Sequence, residues 1–210
     1  MTVSPDFIHL RVHTEYSLVD GTVRIGPLMS AIEKDNMPAV ALTDQGNLFA
    51  MVKFTRAALS SGIKPIIGVD AWVRTSDEQA QPFRMVFLCQ NHQGYLNLSQ
   101  MVSRGYLEGQ QGGVPYIQVE WVKHYAEGLI VLSGGRESDV GRALISGNED
   151  EARQKLLDWK ACFGDRYYLE LQRTGRVNEE RYNALALNLA IETDTPVVAT
   201  NDVRFLSADN

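Results

Sequence analysis

The chain has 210 residues and a mass of 23.4 kDa, with 44% hydrophobic and 22% charged residues, a net charge of −6 and a pI near 5.2. A chain of this length buries a sizeable core without disulfides or a structural metal, and no apolar run approaches the roughly 18 residues of a membrane-spanning helix. The acidic balance, with lysines and arginines scattered, argues against a domain that grips nucleic acid by itself, because such domains carry a basic face.

The first residues, MTVSPDFIHLRVH, lack the basic-then-apolar pattern of a secretion signal. Cys89 and Cys162 sit in the apolar contexts FLCQ and KACF and read as buried free thiols of a reducing cytosol. A cytoplasmic location without membrane contact is therefore expected. No internal repeat or low-complexity segment is visible.

FIHLRVH, from Phe7, reads as a first strand. Strand alternation puts His9, Arg11 and His13 on one face. Two histidines on one face point to a metal, whereas the arginine between them argues against one. Ile25, Leu28, Met29 and Ile32 recur at helical spacing and predict a helix from Ile25 to Lys34. AVALTD, residues 39–44, is a continuous apolar run of the kind found in a parallel strand covered on both faces. A helix follows from Leu48 to Leu59, ended by Ser-Ser-Gly at 60–62. KPIIGVDAWV (64–73) is a third strand, residues 76–82 a polar loop, and FRMVFLCQ (83–90) a fourth strand.

A helix from Tyr95 to Tyr106 leads to a Gly/Gln loop at 110–115, and GLIVLSGG (128–135) gives a fifth strand. Helices are expected over 139–146 and 150–161, then a sixth strand, RYYLELQR (166–173). A helix from Asn178 to Glu192 has Asn178 as its cap and Glu179 and Glu180 in its first turn. PVVATNDVRF (196–205) is the seventh strand. Seven strands alternating with helices predict βα units and a parallel sheet, either a closed barrel or an open doubly wound sheet. No Gly-x-Gly-x-x-Gly follows the first strand, which lowers the weight of a dinucleotide-binding sheet, and no phosphate-binding P-loop is present.

In a β/α barrel the chemistry sits at the C-terminal strand ends, and polar residues gather there. His13 and Asp20 follow the first strand, Asp44 and Gln45 the second, and Asp70 lies in the third. Arg84 lies in the fourth, Gly135 and Arg136 follow the fifth, Arg173 and Thr174 the sixth, and Asp202 and Arg204 lie in the seventh. One aspartate after a strand is ordinarily a cap or turn residue; polar ends on nearly every strand indicate a site. Its charge is mixed, with acids at Asp20, Asp44, Asp70 and Asp202 and fixed cations at Arg11, Arg84 and Arg204.

The stretches HLRVHTEYSLVDG, MPAVALTDQGNLFAMVKF, GIKPIIGVDAWV, EGLIVLSGGR, RYYLELQRTGR and PVVATNDVRF resemble, in order and spacing, the PHP (polymerase and histidinol phosphatase) family. Within it they are most similar to the N-terminal PHP domains of bacterial DNA polymerase III alpha subunits. The resemblance runs from residue 7 to 206 and implies one domain, 1–210, folded as a distorted seven-stranded TIM-like β/α barrel, lacking the last part of the domain. Active members hold three metals at the strand ends and hydrolyse phosphoesters. Here the first His-x-His motif falls on Arg11-Val12-His13, with His9 where other members often have an aspartate. Asp20 is retained, Thr-Asp-His reads Thr43-Asp44-Gln45, and a glutamate is shortened to Asp70. The histidine of the fourth strand is Arg84, and the ligand after the fifth falls on Gly135. Asn-His-Gly becomes Arg173-Thr174-Gly175, and Asp-x-His becomes Asp202-Val203-Arg204.

The resemblance thus implies a degenerate metal site in which His13, Asp20 and Asp202 survive, with Asp70 a weak fourth ligand. No catalytic residue and no metal are expected in this chain. Acids crowded at one place need cations between them, and Arg11, Arg84 and Arg204 are expected to supply these through bidentate pairs with Asp20, Asp70 and Asp202. The family then implies a structural module, attached to the remainder of the alpha subunit, that docks the proofreading 3′–5′ exonuclease (epsilon) subunit. It implies contact with DNA only through the assembled holoenzyme. The whole subunit would be a magnesium-dependent DNA-directed DNA polymerase; the chain stops ahead of its palm and is not expected to synthesise DNA. The alternative is an active metal-dependent phosphoesterase, acting as a 3′–5′ exonuclease or pyrophosphatase. A third reading is an arginine-lined pocket that holds an anion without catalysis.

Overall fold

In the computed structural model the helix expected at Ile25–Lys34 forms with those bounds (α1), and its spacing buries Ile25, Leu28, Met29 and Ile32. Pro27 is tolerated because it falls in the first turn, where the N–H has no helical acceptor. The structure describes residues 7–18, 20–77 and 79–207. The start of the chain, where no signal is expected, thus lies partly outside the described residues, as does Glu78 in the expected 76–82 loop. Two units emerge, Met1–Asp70 with Asn201–Asn210, and Ala71–Thr200.

In the first unit, α1 shares a core with α2 (Met51–Ser60), built on Phe54 and Ala58 together with Val12, Val40 and Leu42. β1 (Ala39–Leu42) is fully buried and runs parallel to the start of β2 (Lys64–Arg74), from Ala39 opposite Lys64 to Leu42 opposite Ile67. The expected first strand does not form as a continuous strand. Its segment carries only isolated bridges, Val12 with Val203 and Thr14 with Val23. The Ala41 N–H donates to His9 O (2.9 Å) and the Thr43 N–H to Val12 O (3.0 Å), so two steps along one chain answer to three along the other. That extra residue is a bulge. The Val12 N–H turns to the Thr43 hydroxyl (2.8 Å) instead of a backbone carbonyl. The bulge breaks the alternation between His9 and Arg11, so the three side chains do not share one face.

In the second unit the sheet order is β4 (Gln110–Gln111), β5 (Val114–Gln118), β2, β3 (Phe83–Cys89), β6 (Leu129–Leu132), β7 (Tyr167–Gln172) and β8 (Val197–Thr200). β2–β5, β6–β7 and β7–β8 are parallel, but β3–β6 and β4–β5 are antiparallel. The expectation of a purely parallel sheet is corrected to a mixed α/β fold, and the strand order is not closed on itself. Eight strands are described where seven were expected. The supposed Gly/Gln loop is a hairpin, with Gln111 opposite Val114 across Gly112 (φ 58°) and Gly113 (φ 83°). Two consecutive positive φ values suit a two-residue hairpin turn, and glycine supplies them without strain.

Helices α3 (His92–Leu107), α5 (Asp139–Ile145), α6 (Glu149–Phe163) and α7 (Glu179–Thr193) match the expected helices within a few residues, and α4 (Val119–His124) was not expected. Cys89 and Cys162 are free but only partly buried, short of the full burial expected; burial still pushes the Cys89 thiol up to about 11.

Asn178 precedes α7 in a left-handed conformation (φ 67°) and makes no side-chain capping bond. Glu179 instead reaches back and holds the loop ahead of the helix: its Oε2 accepts the N–H groups of Thr174 (2.7 Å), Gly175 (2.9 Å) and Arg176 (3.2 Å). Glu179→Ala is expected to lower the unfolding free energy by about 2 kcal/mol. Asn178→Gly, which relieves the positive φ, is expected to stay within about 0.5 kcal/mol of the parent. Urea denaturation of both variants checks the reassignment.

Candidate functional site

The site of the first unit is built where the 9–13 segment, the end of β1, residue Asp70 of β2 and residues 201–204 meet. Asp44, just past β1, is buried and saturated with donors. Its Oδ1 accepts the Thr14 N–H (2.6 Å) and the Ser17 hydroxyl (2.8 Å), and the Thr14 hydroxyl lies 2.9–3.0 Å from both oxygens. These bonds hold the turn Glu15–Ser17, whose cap is Thr14. Asp44 therefore organises a loop. Gln45 follows it, its N–H donating to Ser17 Oγ (3.0 Å), and Asp70 N–H donates to Asp44 O (3.2 Å).

Ser17 passes this order on to His13. Its proton goes to Asp44, leaving its oxygen to accept from Gln45 and to face His13 Nδ1 at 3.2 Å. On the other side of the ring, Nε2 lies 3.0 Å from Asp70 Oδ2 and 3.5 Å from Asp202 Oδ1. Both ring nitrogens thus face oxygen atoms. Sequence reading missed Thr14 and Ser17, although Thr-x-x-Ser directly after His13 is a recognisable turn-capping pattern.

Arg11, 1% exposed, is the centre of the charge arrangement. Its Nε donates to Asp70 Oδ2 at 2.9 Å and its Nη2 lies 2.6 Å from the same oxygen. Its Nε is also 3.2 Å from Asp202 Oδ1. Asp202 in turn meets Arg204, whose Nε is 3.2 Å from Oδ2 and whose Nη2 is 3.3 Å from Oδ1, and Arg204 closes the series with an ion pair to Asp20. Asp70, Arg11, Asp202, Arg204 and Asp20 alternate in sign from the interior to the half-exposed rim. Burial pushes the Asp202 carboxyl up, but the Arg11 and Arg204 guanidiniums outweigh it and hold it below the usual carboxylate range. Burial likewise works against the Arg204 cation, and the two aspartates more than offset it.

His13, Asp70 and Asp202 offer ligand atoms within 4.8 Å of one another, the minimum set for a metal. The fit fails on the neighbours. Arg11 N–H groups lie on Asp70 Oδ2 and Asp202 Oδ1, and a guanidinium can neither ligate a cation nor lose its charge to admit one.

Of the other residues singled out from sequence, His9 is apart from this cluster. It packs edge-on against Phe7 (5.2 Å), its charged neighbour is Asp35, and burial lowers its imidazole. Arg84, Gly135 and Thr174 belong to the second unit. The Arg84 guanidinium lies 4.8 Å over the Trp72 ring. Gly135 opens a turn at φ 64°, and the Thr174 hydroxyl donates to Glu179 (2.5 Å). Of the expected arginine–aspartate contacts, Arg11 meets Asp70 and Asp202, and Arg204 meets Asp202 and Asp20. The same unit holds a buried acid that sequence reading passed over: Glu170, bonded by the Thr200 hydroxyl and by Gln172 Nε2 (3.3 Å).

The PHP domain family matches residues 9–174. The chain is 48% identical over its whole length to DNA polymerase III subunit alpha of Pseudomonas aeruginosa. It is 43% identical over 98% of its length to that of Escherichia coli K12. It spans 18% of the length of each. Among solved structures it resembles a Bifidobacterium adolescentis protein described as a metal-dependent phosphoesterase, with a TM-score of 0.65 and 16% identity over 94% of this chain and 87% of that one. It also resembles an amidohydrolase of Chromobacterium violaceum with bound sulfate and no metal, with a TM-score of 0.62 at the same identity and coverage. Among the described residues no helix is long and apolar enough to cross a membrane.

Arg11→Met is expected to cost about 3–5 kcal/mol, because it leaves Asp70 and Asp202 buried beside each other without their shared cation; a denaturation midpoint measures it. Asp202 sets the sign of the pH response. Its folded carboxyl lies below the unfolded value, so its contribution is complete above the unfolded value of about 3.9 and is lost as pH falls through the depressed folded value. Stability is expected to be flat with respect to Asp202 above about pH 5 and to fall below about pH 4. Asp202→Asn should flatten that part of the curve in a pH series of urea melts.

Proposed function

The chain belongs to the PHP family, and from that premise we propose that it is the PHP module of a DNA polymerase III alpha subunit, a scaffold with a silenced metal site. The observation that carries this is the buried Arg11 guanidinium bound to Asp70 and Asp202, where a catalytic cation would have to stand. His9, Arg11, His13, Asp20, Asp44, Gln45, Asp70, Arg84, Gly135, Thr174, Asp202 and Arg204 are then the remnants of the ligand positions, with no catalytic residue among them. A fixed cation preserves the charge balance but supplies no Lewis acid and no activated water.

In this reading residues 1–210 form one domain, and its architecture is the distorted seven-stranded barrel of the family. The backbone bonds that tie residues 9–13 to residues 41–43 on one side and to Val203 on the other support that architecture. The module is cytoplasmic and joined to the rest of the alpha subunit, which carries the magnesium-dependent polymerase chemistry. It docks the proofreading 3′–5′ exonuclease subunit and meets DNA only through the assembled enzyme. The 48% identity to a polymerase subunit over the full chain supports the attachment to an alpha subunit, and the net charge of −6 supports contact with DNA only through the assembled enzyme.

The second reading, a metal-dependent phosphoesterase, is favoured by the convergence of His13, Asp70 and Asp202. One experiment separates the two. Purified protein equilibrated with zinc or manganese is passed through a desalting column and analysed for metal, with hydrolysis of a nitrophenyl phosphodiester followed alongside. The scaffold reading expects substoichiometric metal and no chelator-sensitive turnover; one bound metal per chain with such turnover establishes the phosphoesterase. Calorimetric titration with the exonuclease subunit tests the docking role, for which a saturable one-to-one complex is expected.

A further inference from the structure

Helix α2 buries Phe54 and Ala58 and turns a second apolar stripe outward. Val52, Arg56 and Leu59 follow at i, i+4 and i+7, one face of a helix, with Val52 56% and Leu59 64% exposed. Phe49, 62% exposed, continues the stripe past the N-terminus of the helix. The loop after Thr14 lies against the same end, because Asn47 Nδ2 donates to Tyr16 O (3.0 Å) and the Lys53 ammonium sits 5.5 Å over the Tyr16 ring. Two residues on, Leu18 is 76% exposed and held at φ 60°, ψ −86°. Leucine is disfavoured there, near the strained γ-turn region, and it gains no burial in return. Folding alone selects neither the strain nor the exposure.

We infer that Leu18, Phe49, Val52 and Leu59 form a docking face for an apolar segment of a partner protein that carries carboxylates beside its apolar residues. The charge on the face decides the chemistry. Met51–Ser60 contains two cations, Lys53 and Arg56, and no acid, in a chain of net charge −6. Lys53 is shared with Glu15 (3.7 Å), whereas Arg56 has no ion pair among the described residues. A second copy is the poorer occupant, since a two-fold pairing of this face would set cation against cation. An acidic partner gains a rim ion pair around an apolar centre.

The inference rests on the reading that this module docks a proofreading exonuclease, so that subunit is the probe. The whole polymerase subunit, as wild type and with Leu18→Gly, Val52→Ser or Arg56→Glu, is titrated with the purified exonuclease. Self-association is followed by sedimentation. Wild type is expected to bind. Each variant should weaken binding about tenfold or more, with the Arg56→Glu loss shrinking at high salt. Leu18→Gly should leave the melting temperature unchanged or raised, because glycine accepts φ 60° freely. A wild-type subunit that does not bind overturns the docking reading and this face with it. Wild-type binding retained in all three variants overturns the face alone and leaves the docking reading standing. Self-association lost in the variants makes a second copy the occupant and overturns the inference. A Leu18→Gly protein that melts several degrees lower makes that leucine structural and removes it from the face.

Discussion

Arg11 is the residue on which the interior of the first unit depends. Two carboxylates, Asp70 and Asp202, are carried there by chain segments more than a hundred residues apart, and both are shut away from water. Two buried anions whose oxygens lie within 4.8 Å of each other repel strongly in a medium that screens poorly. The Arg11 guanidinium lies against both, so one planar cation fastens β2 at Asp70 to the segment after β8. The bonds are charge-assisted and directional, which makes the arrangement specific as well as attractive. Arg204 and Asp20 extend the alternation outward, so that Asp202, which accepts from both arginines, is not asked to satisfy Arg11 alone.

Two backbone features aim that guanidinium. The bulge between His9 and Val12 changes the parity of the segment, and the Thr43 hydroxyl takes the Val12 N–H that a regular ladder would have used. Beyond it, Asp44 gathers Thr14 and Ser17 into a turn, and Ser17 fixes the imidazole of His13. The order therefore runs from a carboxylate that binds backbone, to a hydroxyl, to a ring, to the charge cluster. Each step is a hydrogen bond of ordinary length whose loss would leave a buried polar atom unsatisfied.

Much of this was legible in the sequence, and the exceptions have particular causes. Helix α1 shows its bounds because an amphipathic stripe with a polar remainder admits one interpretation. The acids and arginines at the strand ends were visible as a set, and Arg11 and Arg204 do pair with aspartates of that set. His9 was misplaced because strand alternation assumes an unbroken ladder, and a bulge leaves no mark in residue type. The hairpin at Gly112–Gly113 was taken for a loop, although Gly-Gly between two short polar-to-apolar runs is a hairpin signal; strands of two and five residues are too short for alternation to register. Asn178 was assigned as a cap on residue type, whereas the left-handed backbone it supplies is its contribution, and the carboxylate of Glu179 binds the loop ahead of the helix.

An ion-paired interior is not the most stable way to fill space, since well-packed apolar side chains of similar volume are often as good or better. Its persistence has a kinetic explanation in sequence space. In the reading proposed above, arginines entered a cluster of acids that a metal had once neutralised. From then on each member guards the others. Removing Arg11 strands two anions, and removing Asp70 or Asp202 leaves a buried cation short of partners. Substitutions in such a network are strongly non-additive, so a path to an apolar core runs through single variants that lose several kcal/mol. A domain with about 5–15 kcal/mol of total stability tolerates few such steps. In that reading the paired charges stay because they have become structural.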